Sequence, residues 1–313
     1  MGCGTIKATH PPTGKYQTET DWDYRSNSLV NYLIMANYLI NAVVTVWLVQ
    51  VSYGLDLSHY TMPSREVGER LKSYDPKTTP GYPHEQGLGH YYQGDILLRK
   101  SKAGRLAVID PYNINVWPNA VVPYVVRANF TTAESDLLQA AFDQYAAKTC
   151  IRFVPRTTEL QYVTITNDQA GCYSYVGRSP DPTENVLNLQ TPACMADVGT
   201  PVHEMMHTLG FLHEQSRFDR DAYVNFYPQN LRPEYQDPAF IEINFGVYGG
   251  PEFTNYNAPY NYGSVMHYSR LAGAAAWDAP VLTAKKTFFG DFGNPAGLSA
   301  GDVKQLMARY CTK

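Results

Sequence analysis

The chain has 313 residues, of which 44% are hydrophobic and 17% charged, and this is typical of a globular protein with an ample core and two domains. The formal net charge of −4 argues against nucleic-acid binding, which requires a basic surface. We therefore predict a protein that does not bind nucleic acid.

An apolar run from Leu29 to Tyr53 lies near the N-terminus. It is long enough to span a membrane, but three asparagines and one glutamine interrupt it. We favour a signal peptide that starts at Met35 and ends where the small residues Ser52 and Gly54 suit a signal peptidase. A membrane anchor and a buried helix are the alternatives. Residues 1–54 are thus predicted to be an N-terminal extension with a signal peptide at about 35–54, and the protein to be secreted.

Residues 55–105 are polar and rich in turn-forming residues, and they contain no periodic pattern that predicts a helix or strand. They end in a basic, flexible stretch, 99–105, of the kind that proteases cut readily. We predict that a trypsin-like protease cleaves after Arg105 and leaves Leu106 as a new N-terminus, with cleavage one to three residues later as the alternative. This divides the chain into a pro-segment, 55–105, and a main domain, 106–313.

The main domain opens with strands and one helix. Strands are predicted at Val121–Val126, Ile151–Val154 and Tyr162–Thr166. A helix is predicted from about Thr132 to Ala147, because apolar residues recur at helical spacing and Thr131 with Glu134 forms a capping-box pattern.

The segment that starts at His203 and ends at Glu214 contains three histidines and a glutamate at spacings that suit a catalytic zinc. On a helix, His203 and His207 share one face, and Glu204 lies beside them. Gly210 can end the helix in a left-handed conformation and turn the chain, so that His213 becomes a third ligand. Three protein ligands leave zinc an open position, which is typical of catalytic sites.

The start of this zinc helix is also predicted from the sequence. Thr200 is a suitable N-cap residue, and Pro201 suits the first helical position, where a missing N–H costs nothing. We therefore expect the helix to span roughly Pro201 to Leu209.

A second element follows in Ser264-Val265-Met266-His267-Tyr268. The extended zinc motif and this methionine turn together resemble the astacin family of metzincin zinc endopeptidases. Further similar segments occur in the order that the family shows, at 117–124, 171–177, 217–221, 298–302 and 310–311. The resemblance covers roughly residues 106–313. It implies an α+β fold, with a twisted mixed sheet and two long helices above a zinc cleft and an irregular lower subdomain.

The resemblance also implies roles for individual residues. One zinc ion per subunit is held by His203, His207 and His213. Glu204 accepts a proton from the attacking water and later passes it to the leaving amine. Tyr268 is a fifth ligand at rest and then donates a hydrogen bond to the oxyanion. Met266 packs beneath the metal. The edge strand with which an extended peptide substrate pairs, as an added antiparallel strand, is formed or flanked by Cys172, Tyr173, Ser174 and Tyr175.

Within the pro-segment, Tyr92-Gln93-Gly94-Asp95 resembles the family's inhibitory motif F-x-G-D. The resemblance implies that Asp95 binds the zinc in the latent form. It further implies that the N-terminus formed by cleavage contacts Glu214.

Four of the five cysteines lie in the astacin-like region, and four cysteines allow three pairings. Spacing does not choose among them, whereas the resemblance implies Cys150–Cys311 and Cys172–Cys194. Such bridges require an oxidising compartment. Asn129 begins a glycosylation sequon.

The sequence therefore predicts a secreted zinc endopeptidase that is made as a zymogen, acts on protein or peptide substrates as a monomer, and is activated by a trypsin-like protease. One alternative is a catalytically silent binding protein with the same fold. The other is a membrane-anchored protease that uses residues 29–53.

Overall fold

The computed structural model describes Gly2 and residues 60–99, 116–247 and 256–311. The predicted signal peptide or anchor and the predicted cleavage site after Arg105 lie outside these residues. Within the described ranges, no helix is both long enough and apolar enough to cross a membrane.

The described residues form the following regular elements. The α-helices are α1 (Arg65–Lys72), α2 (Thr132–Lys148), α3 (Gly199–Thr208), α4 (Pro238–Phe245) and α5 (Ala300–Tyr310). The strands are β1 (Val121–Val126), β2 (Arg152–Pro155), β3 (Val163–Thr166), β4 (Cys172–Ser174), β5 (Val186–Leu189), β6 (Val224–Phe226) and β7 (Leu282–Ala284). The three strands predicted from the sequence are β1, β2 and β3, with ends that differ by at most one residue.

The main sheet has five strands in the order β2-β1-β3-β5-β4. The first four run parallel, and β4 pairs antiparallel with β5, with Cys172 opposite Leu189. This mixed sheet, combined with α2 and α3, confirms the predicted α+β fold. Because β4 is the last strand of the sheet, one side of its backbone is available to another segment of chain.

Helix α2 covers the sheet with a face made of Leu138, Ala141, Phe142 and Tyr145, all of which are buried. The ring of Phe142 stacks on that of Tyr124 in β1, with 4.6 Å between centroids. The predicted capping box is confirmed: the Thr131 hydroxyl accepts the Glu134 N–H, and the Glu134 carboxylate accepts the Thr131 N–H. Local capping and packing on the sheet therefore agree on where this helix begins.

The lower part of the domain, after α3, is built mostly from short 3₁₀ turns, helix α4 and the two-stranded sheet β6–β7. It has its own apolar core, to which Val224, Leu231, Phe245 and Phe292 contribute. Tyr268 belongs to the same cluster. This confirms the predicted irregular subdomain, which has few regular elements and an apolar core of its own.

Helix α1 is a difference from the sequence prediction, which contained no helix in the pro-segment. Its apolar face consists of Val67 and Leu71, with Gly68 between them against Ala170. An added Cβ at Gly68 would lie 3.0 Å from the Cβ of Ala170, so the glycine permits this close approach. Two large apolar positions one turn apart give too short a pattern to predict a helix.

The zinc helix α3 starts earlier than predicted, and the assignment of Thr200 as its N-cap was wrong. The helix begins at Gly199, and the Asp197 carboxylate accepts the Thr200 N–H at 3.1 Å. Asp197 thus satisfies a free N–H of the first turn, and Pro201 becomes the third helical residue. The helix ends at Thr208.

Two disulfides close the domain. Cys150 is bonded to Cys311, and Cys172 to Cys194, which is the pairing that the family resemblance implies. The first joins the end of α2 to the end of α5 across 161 residues, and the second joins β4 to a turn 22 residues later. The first bridge therefore restricts far more of the unfolded chain.

Replacing Cys150 and Cys311 together by serine should lower the free energy of unfolding by about 5 kcal/mol, against about 3 kcal/mol for the matched control in which Cys172 and Cys194 are replaced. The difference follows from the loop-closure entropy of 161 against 22 residues. Chemical denaturation of the two variants measures it. A larger loss in the control would contradict the argument from loop length.

Candidate metal centre and active site

Helix α3 and the turn after it bring three histidines to one point. His203 and His207 lie one turn apart on the same face of the helix, and their Nε2 atoms are 3.1 Å apart. Gly210 has a φ of 92°, and its N–H donates to the His207 carbonyl at 2.7 Å. This left-handed turn ends the helix and reverses the chain. His213 then reaches back, with its Nε2 atom 3.2 Å from that of His203.

Asp95 of the pro-segment completes the group. Its Oδ2 atom lies 3.0 Å from His203 Nε2 and 3.1 Å from His213 Nε2, and its Oδ1 atom lies 3.3 Å from His207 Nε2. The four side chains are buried, and their ligand atoms all lie within 4.8 Å of one another. A long-range contact of the pro-segment thus adds one carboxylate to three nitrogens.

The Nδ1 atom of each histidine, which faces away from the common point, forms a hydrogen bond with a protein acceptor. His203 Nδ1 donates to the Val265 carbonyl at 2.6 Å and His207 Nδ1 to the Phe211 carbonyl at 2.8 Å. His213 Nδ1 lies 3.0 Å from the side-chain Oε1 atom of Gln93. Because these acceptors place the proton on Nδ1, the three Nε2 atoms present bare lone pairs to the common point.

This arrangement fits a metal ion. Burial lowers the pKa of His207, and it lowers that of His213 to about 4, so both rings are neutral near pH 7. A carboxylate that faces the lone pairs of neutral imidazoles is repelled unless a cation lies between them. Three imidazole nitrogens and one carboxylate oxygen form a ligand set that zinc prefers.

Glu204 lies next to the first histidine on α3 and is fully buried. Burial, aided by the charge of Asp95, raises the pKa of its carboxyl group well above the usual value. Neither of its carboxyl oxygens has a hydrogen-bond partner among the described residues. A buried carboxyl group with both oxygens unpaired is costly, and such groups are concentrated at functional sites.

The methionine turn is anchored by the last helix. The Asp302 carboxylate at the start of α5 accepts the Ser264 hydroxyl at 2.5 Å and the Val265 N–H at 3.0 Å. Asp302 also forms a capping box with Ser299. Because the Val265 carbonyl is the acceptor for His203, the N-terminus of α5 helps to orient a metal-facing ring. Met266 in the same turn is buried.

Tyr268 follows this turn and is also buried, with its ring centroid 5.0 Å from that of His213. Its hydroxyl donates to the backbone carbonyl of Gln93 at 2.7 Å. The carbonyl of Gln93 therefore occupies the hydroxyl group for which the sequence predicted roles at the metal and the oxyanion.

The predicted substrate edge is the edge strand β4, which contains Cys172, Tyr173 and Ser174; Tyr175 follows directly. The pro-segment pairs with it: the Ser174 N–H donates to the Asp95 carbonyl at 3.0 Å, and the Leu97 N–H donates to the Ser174 carbonyl at 3.1 Å. This pairing is parallel. We predict that a substrate pairs with this strand in the antiparallel direction. The segment around Asp95 therefore covers the edge in the direction opposite to that of a substrate.

Glu214 is buried and bound by Arg217 at 2.9 Å, by the Asn261 N–H at 2.9 Å and by Gln305 at 3.3 Å. Burial raises its pKa to about 7. The partner predicted for it, the N-terminus at Leu106, lies outside the described residues. At the sequon, Asn129 is exposed at the surface.

Three further residues of the pro-segment contact this region and were missed by the sequence analysis. Gln93 contacts His213 and Tyr268, and His84 stacks on His203 with ring centroids 4.0 Å apart. The Glu85 carboxylate accepts the Ser269 hydroxyl at 2.8 Å and the Ser269 N–H. The position of Gln93 beside Gly94-Asp95 was the one signal available for it; His84 and Glu85 lie in a turn-rich stretch without a motif.

Comparison with known proteins gives a consistent result. Residues 110–311, more than half of the chain, match the model of Astacin, a peptidase family. The chain is 36% identical over 200 residues to Zinc metalloproteinase nas-5 from Caenorhabditis elegans, a match that covers 62% of this chain and 53% of that protein. It is 34% identical over 223 residues to High choriolytic enzyme 2 from Oryzias latipes, with coverage of 70% and 74%.

The solved structure of High choriolytic enzyme 1, a hatching enzyme zinc-protease from Oryzias latipes, superimposes with a TM-score of 0.55 at 32% identity. The match covers 63% of this chain and 94% of that one. The chain spans about half the length of two of the nematode relatives that it matches, 53% of nas-5 and 41% of nas-14. The family match, these identities and the buried ligand set agree, and the chain belongs to the astacin family of peptidases.

Proposed function

We propose that this chain is a zinc-dependent endopeptidase that hydrolyses peptide bonds in proteins and is made as a latent precursor. The observation that carries the proposal is the buried group of three imidazole nitrogens and one carboxylate oxygen, His203, His207, His213 and Asp95. The names of the relatives, zinc metalloproteinases and a hatching enzyme zinc-protease, support zinc as the metal.

The division of labour follows from the positions of the side chains. His203, His207 and His213 hold the metal. When bound, zinc supplies a Lewis acid that polarises the scissile carbonyl group and lowers the pKa of water. Glu204 accepts a proton from the attacking water and passes it to the leaving amine, a role that suits a carboxyl group whose pKa burial has raised.

Tyr268 and the edge strand act on the substrate. Once the Gln93 carbonyl has left, the Tyr268 hydroxyl is free to donate a hydrogen bond to the oxygen of the reacting carbonyl group, where negative charge develops. The backbone of Cys172–Ser174 pairs with an extended peptide as an added antiparallel strand. Met266 contributes an apolar floor, and backbone pairing of this kind binds polypeptide without fixing its sequence.

The pro-segment, residues 55–105, keeps this site latent through three kinds of contact. Asp95 takes a ligand position, and the Gln93 carbonyl occupies the Tyr268 hydroxyl. The segment also pairs with the edge strand that a substrate needs. Glu85 adds a buried anchor at Ser269, directly after Tyr268. One stretch of chain thus blocks the metal, the oxyanion donor and the peptide-binding edge together.

Activation requires a cut after this stretch, by a trypsin-like protease in the basic segment 99–105. Arg99 itself is held by hydrogen bonds of 2.6 Å to the carbonyls of Val176 and Gly177, so a protease has poor access to it. This favours the later basic residues, with Arg105 as our choice. The new N-terminus then contacts Glu214, and residues 106–313 form the peptidase domain.

We further propose that the protein is secreted and acts as a monomer. Two disulfides in the described residues favour an oxidising compartment. The exposed Asn129 is available for glycosylation in that compartment. N-terminal sequencing of the precursor, before any cut in segment 99–105, tests the signal peptide against the anchor, because a start near Leu55 requires removal of residues 29–53.

Activity should appear only after processing. The full-length precursor should be inactive on a denatured protein substrate, and limited trypsin treatment should release activity that a zinc chelator abolishes.

Glu204→Gln should lower kcat/KM of the processed enzyme by about 10³-fold or more, since it removes the proton acceptor. Zinc content is the control and should stay at one per chain. A fully active Glu204→Gln enzyme would show that Glu204 has no role in the mechanism. An inactive wild type that is processed and zinc-loaded would contradict the peptidase proposal and favour the catalytically silent binding protein.

A further prediction concerns latency. Asp95→Asn should give measurable chelator-sensitive activity before trypsin treatment, because a neutral amide is a much poorer zinc ligand than a carboxylate. The matched control is Asp75→Asn, an exposed aspartate in the same segment that hydrogen-bonds the Lys77 N–H. Initial rates of unprocessed protein distinguish the two. Equal, absent activity in both variants would show that Asp95 is not required for latency.

A further inference from the structure

The hydrogen-bond acceptors of the three metal-facing histidines come from different parts of the chain. The acceptors for His203 and His207 are backbone carbonyls of the peptidase domain, at Val265 and Phe211. The acceptor for His213 is a side chain of the pro-segment, the Oε1 atom of Gln93 at 3.0 Å. Among the described residues it is the one acceptor that His213 Nδ1 has, and a cut after the pro-segment removes it.

The amide of Gln93 is oriented for this contact. Its Nε2 atom donates to the Ser216 hydroxyl at 2.8 Å, which leaves Oε1 directed at His213. The backbone of Gln93 is held as well, because its carbonyl accepts the Tyr268 hydroxyl. Gln93 thus binds the peptidase domain through three separate groups, and it is completely buried.

The backbone conformation of Gln93 is uncommon for its residue type. Its φ is 50°, in the left-handed region that favours glycine, and such a conformation is unfavourable for a residue with a side chain. Glycine at this position would avoid the cost but would lose the contacts with His213 and Ser216. The surrounding contacts therefore hold a strained residue whose side chain reaches a metal-facing ring.

We propose that Gln93 is a positioning residue that completes the metal centre of the precursor by fixing the ring and the tautomer of His213. This inference rests on the proposed metal site and on removal of the pro-segment. An acceptor at Nδ1 holds the imidazole in place and makes Nε2 a stronger donor to the metal. Processing removes this support from His213 and leaves those of His203 and His207 in place.

The test uses the full-length, unprocessed protein and zinc itself as the probe. Gln93→Leu removes the acceptor at similar volume and should weaken zinc binding about 10- to 100-fold in competition with a chelator. Gln93→Glu keeps an acceptor and should stay within about threefold of wild type, since carboxylates commonly support metal-bound histidines. The matched control is Gln86→Leu, because Gln86 is buried in the same segment and its side chain hydrogen-bonds only Pro80 and Tyr82 in the described structure.

A second measurement separates positioning from general loosening of the pro-segment. In zinc-loaded, ¹⁵N-histidine-labelled precursor, NMR should show slowly exchanging Nδ1 protons on all three metal-facing rings. In Gln93→Leu the signal of His213 should exchange rapidly, while those of His203 and His207 persist. Gln93→Glu and Gln86→Leu should retain all three.

Unchanged zinc affinity in Gln93→Leu would overturn the proposal, as would equal losses in Gln93→Glu or Gln86→Leu, because each would show that the acceptor itself does not matter. Failure of the proposed function gives a different result. A processed enzyme without protease activity would sink the peptidase proposal, while the affinity difference in the precursor would still support the role of Gln93.

Discussion

The rest of this structure depends on one constraint: several ionisable groups are buried together at one point, and each of them needs a partner there. Three imidazoles, Asp95 and Glu204 are all removed from water within a small volume. Such burial is costly unless each group is hydrogen-bonded or binds a metal. The acceptors at Val265, Phe211 and Gln93 and a cation at the centre satisfy the histidines and Asp95. Glu204 keeps both oxygens unpaired among the described residues, so no hydrogen bond there offsets the cost of its burial.

The scaffold fixes the zinc helix mainly through its carbonyl groups. The Trp117 indole donates to the Thr208 carbonyl, the Tyr145 hydroxyl to that of Val202 and the Tyr310 hydroxyl to that of Leu209. The carbonyls of Thr208 and Leu209 lie at the end of the helix and have no partner within it, so their two donors satisfy groups that would otherwise be buried unpaired. The three donors come from the chain before β1, from α2 and from α5. The disulfide at Cys311 ties α5 back to α2, so the elements that hold the helix are themselves linked.

The pro-segment is packed as part of the domain. Val67, Leu71, Tyr91 and Leu97 belong to the same apolar cluster as the sheet and α2. Because these contacts are apolar and extensive, they also order the chain around Asp95. The polar residues there therefore reach the metal site without a further loss of chain entropy. The segment that carries Asp95 and the apolar core of the domain thus share one interface.

The sequence by itself determined the local features: the spacing of His203, His207 and His213, the turn at Gly210, the capping box of α2 and the first three strands. These depend on helical periodicity and backbone conformation over a few residues, which the chain encodes locally. Tertiary structure alone decided which distant groups meet. Asp95 reaches His203 across 108 residues, and His203 in turn reaches the Val265 carbonyl across 62. Such contacts depend on how separate elements pack, because no local pattern specifies the partner of a buried polar atom. For the same reason the support that Gln93 gives to His213, across 120 residues, became apparent only in the folded chain.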